Sequence, residues 1–270
     1  MAFHCPECEE AHVEYLGGTD DAKSSLRCRL CGHAWLHGGG AKPPTSTVLT
    51  YDEAKAQFPT AEQLSGERRA HVDALVERFV ALHPTAESGV AEHWEKYQGI
   101  FSADGLTAAA PADLKLFANT GKGAGIGNMS VFNRAWNDLG DEPAAERFRS
   151  VVNYLLRGDG AVEERLTELI DPEGARGMTG FRESMLTKVL CVVQPERFLP
   201  ILVYTSDAGG KCEIADKVFG LQLPKPQATS WTRGRLACWS NDLLVGLLAA
   251  RFDNLQRAAH FLWWAKGSDV

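Results

Sequence analysis

The chain has 270 residues, is 44% hydrophobic and 23% charged, and carries a formal net charge of −7. That is enough apolar material for one sizeable core plus a small one, and it excludes a disordered tail. No apolar run reaches the roughly 20 residues that span a bilayer, and no basic segment followed by an apolar stretch opens the chain, so neither a membrane protein nor a secreted one is expected. The acidic balance also excludes a protein that coats nucleic acid through a diffuse basic field.

Seven cysteines are present, with Cys191, Cys212 and Cys238 standing singly. An odd, scattered set fits a reducing, cytoplasmic compartment, where paired Cys-x-x-Cys motifs mean metal more often than disulfide. Two such pairs open the chain: Cys5 with Cys8, and Cys28 with Cys31, the inner cysteines separated by 19 residues. Four soft thiolates at this spacing would fill the tetrahedral shell of one structural Zn²⁺ and leave no place for water. The segments "HVEYLGG" and "SSLRCRL" are expected to form two strands joined by the polar turn "GGTDDAKSS", with Trp35 over the metal end. The pattern resembles a zinc ribbon over residues 1–40, with His4, His12 and His33 outside the ligand set. Disulfides or unrelated thiols are the alternative. A ribbon is a stapled platform and says little about purpose.

"HGGGAKPPTSTV", residues 37–48, has the composition of a linker or extended loop, and residues 41–59 read as the linker. Residues 60–270 read as a helical domain. "TAEQLSGERRAHVDALVERFVALHP" has apolar residues at a helical period, starting at Thr60 and ending at Pro84. "AESGVAEHWEKYQGIFSA", "PADLKLFANT", "SVFNRAWNDL", "EPAAERFRSVVNYLLRG", "AVEERLTELID" and "TGFRESMLTKVLCVVQP" follow as helices, the last apolar enough to be central. "FLPILVYT" is the one strand-like or extended run. "NDLLVGLLAARF" and "DNLQRAAHFLWWA" close the chain as two helices. The expected fold class is therefore mainly α, with a small N-terminal β unit.

Charge divides unevenly: residues 1–110 carry a net −7, residues 111–210 a net −3 and residues 211–270 a net +3. Nucleic-acid contact, if made, must be local and toward the C-terminal half. Three stretches there have suitable chemistry. In "NTGKGAGIGNMSVFNRAW", glycines free the backbone for a close approach, a helix opens near Asn128 or Ser130, and Lys122 adds charge for an anion. It is not a Walker A loop, because the G-x-x-x-x-G-K-[ST] spacing fails. In "GARGMTGFRESMLTKVL", a glycine-punctuated turn leads into an apolar helix with Arg176, Arg182 and Lys188. The turn and helix resemble the helix-hairpin-helix element of DNA-repair proteins. In "SWTRGRLACW", Arg233 and Arg235 lie between Trp231 and Trp239, a pattern suited to phosphate contact with base stacking. "GGKC" adds Lys211 on a turn. For each stretch the bland alternative is an ordinary connection or core helix.

The succession "LKLFANTGKGAGIGNMSVFNRAW", "VVNYLLRG", "VEERLTELID", "GFRESMLTKVLCVVQPERFLPI" and "GGKCEIADKVFGLQLP", roughly residues 113–224, resembles a segment found ahead of the AAA+ motor in McrB-like, modification-dependent restriction proteins. The resemblance implies a target-recognition region for DNA, modified or unmodified, that feeds a separate AAA+ motor and nuclease subunit. The chain departs from that family in having neither Walker motif nor motor. Catalysis within the chain is not expected: Asp113 and Lys115 of "ADLK" lack an acidic partner at strand spacing for a Mg²⁺-dependent nuclease. Two alternatives remain. One is a helix-hairpin-helix-like repair glycosylase, for which no aspartate follows Lys188 before Asp207. The other is a protein-interaction adaptor that touches no nucleic acid.

Overall fold

The computed structural model describes residues 13–18, 24–28, 34–37, 51–85, 87–170, 176–206, 209–226, 229, 231–248 and 251–268. The chain divides into two compact units, Met1–Leu49 and Thr50–Val270.

The first unit holds a three-stranded antiparallel meander of β1 (Val13–Gly18), β2 (Ser24–Cys28) and β3 (Ala34–His37), in that spatial order. Val13 lies opposite Cys28 and Leu26 opposite Trp35, with a register shift between Tyr15 and Gly17. Side chains two apart on a strand share a face, so Leu26 and Cys28 form its buried side. The third strand is a difference from the sequence expectation of two. Trp35, expected over a metal end, is a half-buried strand residue paired with Leu26. The expected structural Zn²⁺ is also corrected: among the described residues no group of three or more His, Cys, Asp or Glu side chains could hold a metal ion. Of the four expected ligands only Cys28 is described, and Cys5, Cys8 and Cys31 lie outside the described residues. No role is assigned to zinc.

The second unit is helical, so the chain is mainly α with a small N-terminal sheet. Among the described residues it contains α1 (Tyr51–Lys55), α2 (Gly66–Leu82), α3 (Val90–Ile100), α4 (Ala103–Ala108), α5 (Pro111–Asn119) and α6 (Ser130–Leu139). It continues with α7 (Asp141–Arg157), α8 (Val162–Ile170), α9 (Glu183–Val193), α10 (Lys211–Phe219), α11 (Arg233–Leu248) and α12 (Leu255–Lys266). Helix α2 starts later than Thr60 because Ser65 is the better cap: its hydroxyl accepts from Arg68 N at 3.1 Å, while Ala61–Gln63 make a single 3-10 turn. The side chain of Asn254 caps α12 in the same way, accepting from Arg257 N at 2.8 Å. Each such cap satisfies an N–H that the helix itself cannot.

The core runs through an aromatic cluster: Phe101 touches Tyr97, Phe117 and Phe148, Phe148 touches Phe132 and Phe181, and Phe132 touches Trp136. Helix α9 is central, as its apolarity predicts: nine of its eleven residues are buried.

"FLPILVYT", expected to be strand-like or extended, joins no sheet among the described residues. Six of its eight residues are buried, in a course whose backbone is satisfied by side chains and by a helix start. Asn241 Oδ1 accepts from Leu199 N at 2.9 Å, and its amide donates to Arg197 O at 2.9 Å. Glu183 Oε1 accepts from Tyr204 N at 2.6 Å. The amides of Lys211 and Cys212 donate to Val203 O and Tyr204 O. Buried backbone groups need partners, and two buried polar side chains here replace a sheet ladder.

Candidate nucleic-acid interface

Two of the three candidate stretches, together with "GGKC", turn inward and meet one another. Glu183 at the start of α9, Lys211 at the start of α10 and Arg233 at the start of α11 form one ionic cluster. Arg233 Nε lies 3.2 Å from Glu183 Oε2. Lys211 is wholly buried and donates to Ala237 O at 3.1 Å. Burial pushes the Glu183 carboxyl up, against the pull of Arg233 and Lys211, and pushes the Lys211 ammonium down, against Glu183. Desolvation favours the neutral form of each group, and the charge pairing opposes it.

The rest of "SWTRGRLACW" is packing. Trp231 is buried and lies edge-on to Phe58, with ring centroids 4.7 Å apart, and Trp239 is at the same distance from Phe58. Gly234 lets α11 cross α8 closely: a Cβ there would lie 2.5 Å from Thr167 N. Beside it Thr167 Oγ1 and Thr232 Oγ1 share a 2.8 Å hydrogen bond. Arg235 faces Glu164 of α8 at 3.6 Å. Trp231, Arg233 and Arg235 are thus in use within the unit.

The turn before α9 is also occupied. Gly180 has φ +76°, and any Cβ there would meet the backbone of Phe132. Gly177 O accepts from Arg147 Nε and Nη2 at 3.1 and 2.7 Å. Arg182 donates to Leu169 O and Ile170 O, closing the C-terminus of α8. Arg176 lies over the Tyr154 ring and 3.6 Å from Glu168. A helix-hairpin-helix grip would need these amides to face a phosphate, and this turn faces α6.

Lys188 is fully buried. Its ammonium donates to Phe117 O at 2.6 Å and to Thr120 O, and lies 4.4 Å from the Phe117 ring centroid. Burial lowers its pKa to about 8. It touches no solvent-facing ligand position. Instead it closes the C-terminus of α5 and fixes the point where the glycine-rich loop begins.

That loop is the part of the sequence reading that stays on the surface. Lys122, Asn128 and Ser130 are exposed. Asn128 Oδ1 accepts from Ser130 N at 2.8 Å and starts α6, so both have a structural task. The base of the loop is closed by Asn119 and Asn133, whose amides exchange hydrogen bonds at 3.0 and 2.7 Å. Lys122 makes no hydrogen bond or ion pair among the described residues. Its stem crosses Gly89, where a Cβ would lie 2.5 Å from Nζ. Gly123, at φ +70°, sits on Trp94: a Cβ there would lie 2.6 Å from the indole Nε1, which is buried and without a hydrogen-bond partner.

Across from the loop stands α12. Gln256, His260 and Trp263, at i, i+4 and i+7, share one helix face and wall a cleft of about 540 Å³ whose other side is Gly121, Gly123, Ala124 and Gly125. Glu87 and Pro200 complete the lining. Trp263 is 38% exposed, with the Lys266 ammonium 4.8 Å from its ring centroid. Burial lowers the His260 pKa, reinforced by His83 and Arg257 and opposed by Glu87. Sequence reading missed Gln256, His260 and Trp263. The signal was present as Q-x-x-x-H-x-x-W within "LQRAAHFLWWA", but it reads equally as a terminal core helix.

Asp113 and Lys115 do not converge on a nuclease site. Asp113 accepts from Lys96 at 2.7 Å, and Lys115 donates to Asn137 at 3.0 Å. Comparison with protein families, with curated proteins and with solved structures finds no match to this chain.

Proposed function

We propose that the chain is a DNA-recognition module whose contact surface is the glycine-rich loop and the facing side of α12. The observation that carries this reading is the cleft itself. Its volume of about 540 Å³ lies within the range of small-ligand sites, and it joins an exposed Trp, an amide and an imidazole to a loop of backbone N–H groups. Stacking on an aromatic ring with phosphate held by amides and a lysine is how nucleotide units are commonly gripped. The net charge of −7 fits a local contact better than a coating surface.

The resemblance of residues 113–224 to the recognition region of McrB-like restriction proteins supports a place in a modification-dependent restriction or related defence system. In this reading the module works in the cytoplasm, and an AAA+ motor and a nuclease supplied by other subunits hydrolyse nucleotide and cut DNA. Among the described residues no helix is long and apolar enough to cross a membrane. The direct test is a gel-shift series on unmodified and methylated duplexes at two salt concentrations. Salt-sensitive retardation with preference for one duplex supports the proposal. No retardation of either duplex at low salt rejects it.

A further inference from the structure

The lining of the cleft contains a titratable group, His260. His260 is exposed on its α12 side, yet its ring lies 5.1 Å from Phe79, edge-on, and 5.0 Å from His83. Every element around it contributes charge. Helix α2 and its C-cap bring Arg78, which lies over Trp264, and His83; the segment after α2 brings Glu87. The loop brings Lys122 close to Gly89, and α12 itself brings Arg257 and Lys266. Glu87 is the only acid among these six. Lys266 is paired with Glu213 at 3.2 Å, and Arg257 donates to His83 O at 3.0 Å. Among the described residues the lining itself has Glu87 as its acid and no lysine or arginine, so His260 is the one side chain there that can meet an anion as a cation.

The donors are in place. Among the described residues the amides of Gly121, Gly123 and Gly125 make no hydrogen bond, and the loop's internal bond is Ala124 N to Gly121 O at 3.1 Å. Gln256 makes none with its side chain, while Trp94 Nε1, also without a partner, is buried beneath Gly123 and outside the cleft lining. Several donors with few acceptors, walled by Ala124, Ala259 and Trp263, suit a phosphate attached to a flat ring.

We infer that the cleft is a phosphate site in which His260, as an imidazolium, is the charged contact. This rests on the reading of the cleft as the contact surface and adds its regulation. Burial, His83 and Arg257 lower the pKa of the imidazole, and Glu87 opposes them. A bound phosphate raises the ring's proton affinity, so binding takes up a proton. Affinity then increases as pH falls through the bound-state pKa and levels off below the free-state pKa, by roughly tenfold for each unit of difference between the two. The phosphate can belong to DNA or be free, and two arms separate these sources.

In the first arm, anisotropy of a fluorescein-labelled duplex is measured from about pH 8 to about pH 6 with the wild-type chain and with His260→Gln. In the second, the His260 ring resonance of the wild-type chain is titrated with and without inorganic phosphate. The expected result is tightening with falling pH in the wild type, a flat profile in His260→Gln, and an upward shift of the His260 titration with phosphate. An upward shift with phosphate but no duplex binding at any pH keeps the phosphate site and rejects DNA as its source. A pH profile unchanged by His260→Gln, or a His260 titration that phosphate does not move, overturns the inference. The second arm needs no variant, so a folding defect in His260→Gln leaves the test intact.

Discussion

Arg233 and Glu183, fifty residues apart in sequence, meet as a 3.2 Å ion pair, and the carboxylate's other oxygen accepts the Tyr204 amide at 2.6 Å. One buried carboxylate thus ties α9 to α11 and to the extended 199–204 segment. Removing one partner of a buried pair leaves a desolvated charge, which typically costs about 3–5 kcal/mol. Glu183→Ala is expected to lower the unfolding free energy in urea by about that much, because Lys211 and Arg233 lose their acid and Tyr204 its acceptor. Arg233→Ala should cost less, since its side chain is 35% exposed and water screens what remains. DNA affinity per folded molecule should be unchanged in both. A weakened affinity at unchanged stability would return Arg233 to the contact surface.

Trp231→Ala separates packing from contact. The ring is 5% exposed and packs against Phe58 and Trp239. Deleting it should cost roughly 3–5 kcal/mol, as for other large core aromatics. Urea unfolding checks this, and a loss under about 1 kcal/mol would contradict the packing role.

Gly234→Ala probes the crossing of α8 and α11. The added methyl would press on the Glu163 and Thr167 backbone, which cannot yield as a side-chain tip can. Helix propensity favours alanine by about 1 kcal/mol, but overpacking costs about 1–3 kcal/mol. A net fall in melting temperature is expected, and a rise would show that the helices separate freely.

Lys188 gives a pH signature. Its folded pKa of about 8 lies below the model-peptide value of 10.5. The unfolded state therefore binds more protons between these values, and stability rises with pH across that window. The burial penalty is present in full below about pH 8 and disappears above about 10.5. Comparing urea unfolding of the wild type and Lys188→Met across this range should show the wild type gaining on the variant by at most about 3 kcal/mol. Parallel profiles would contradict a desolvated ammonium. In the variant Phe117 O and Thr120 O lose their donor, so the loop should also exchange amide hydrogen faster.

The helical class was legible because the apolar period in α6, α7, α8 and α9 is strong. The third strand, α4 and α10 were not, being short elements with little period to read. "FLPILVYT" was legible as a strand-like or extended run but its partners were not: they are Asn241 and Glu183, which no local pattern announces. The same cause affected the site. Arginines beside tryptophans look alike whether they face a phosphate or a buried carboxylate forty to fifty residues away, and only the fold pairs Arg233 with Glu183. Lys122 could be read from sequence because its glycine setting keeps it on the surface. Gln256, His260 and Trp263 gain meaning only when the loop is opposite them.

The central claim is tested most directly by the affinity of a labelled duplex for the wild-type chain, Trp263→Ala and Lys122→Ala, measured by anisotropy at several salt concentrations with folding checked by circular dichroism. The predicted result is a loss of roughly 1–3 kcal/mol for Trp263→Ala, from the lost stacking surface. Lys122→Ala should weaken all duplexes alike and lower the salt slope by about one. Wild-type affinity and slope in both folded variants would contradict the claim that DNA is held at the glycine-rich loop and α12.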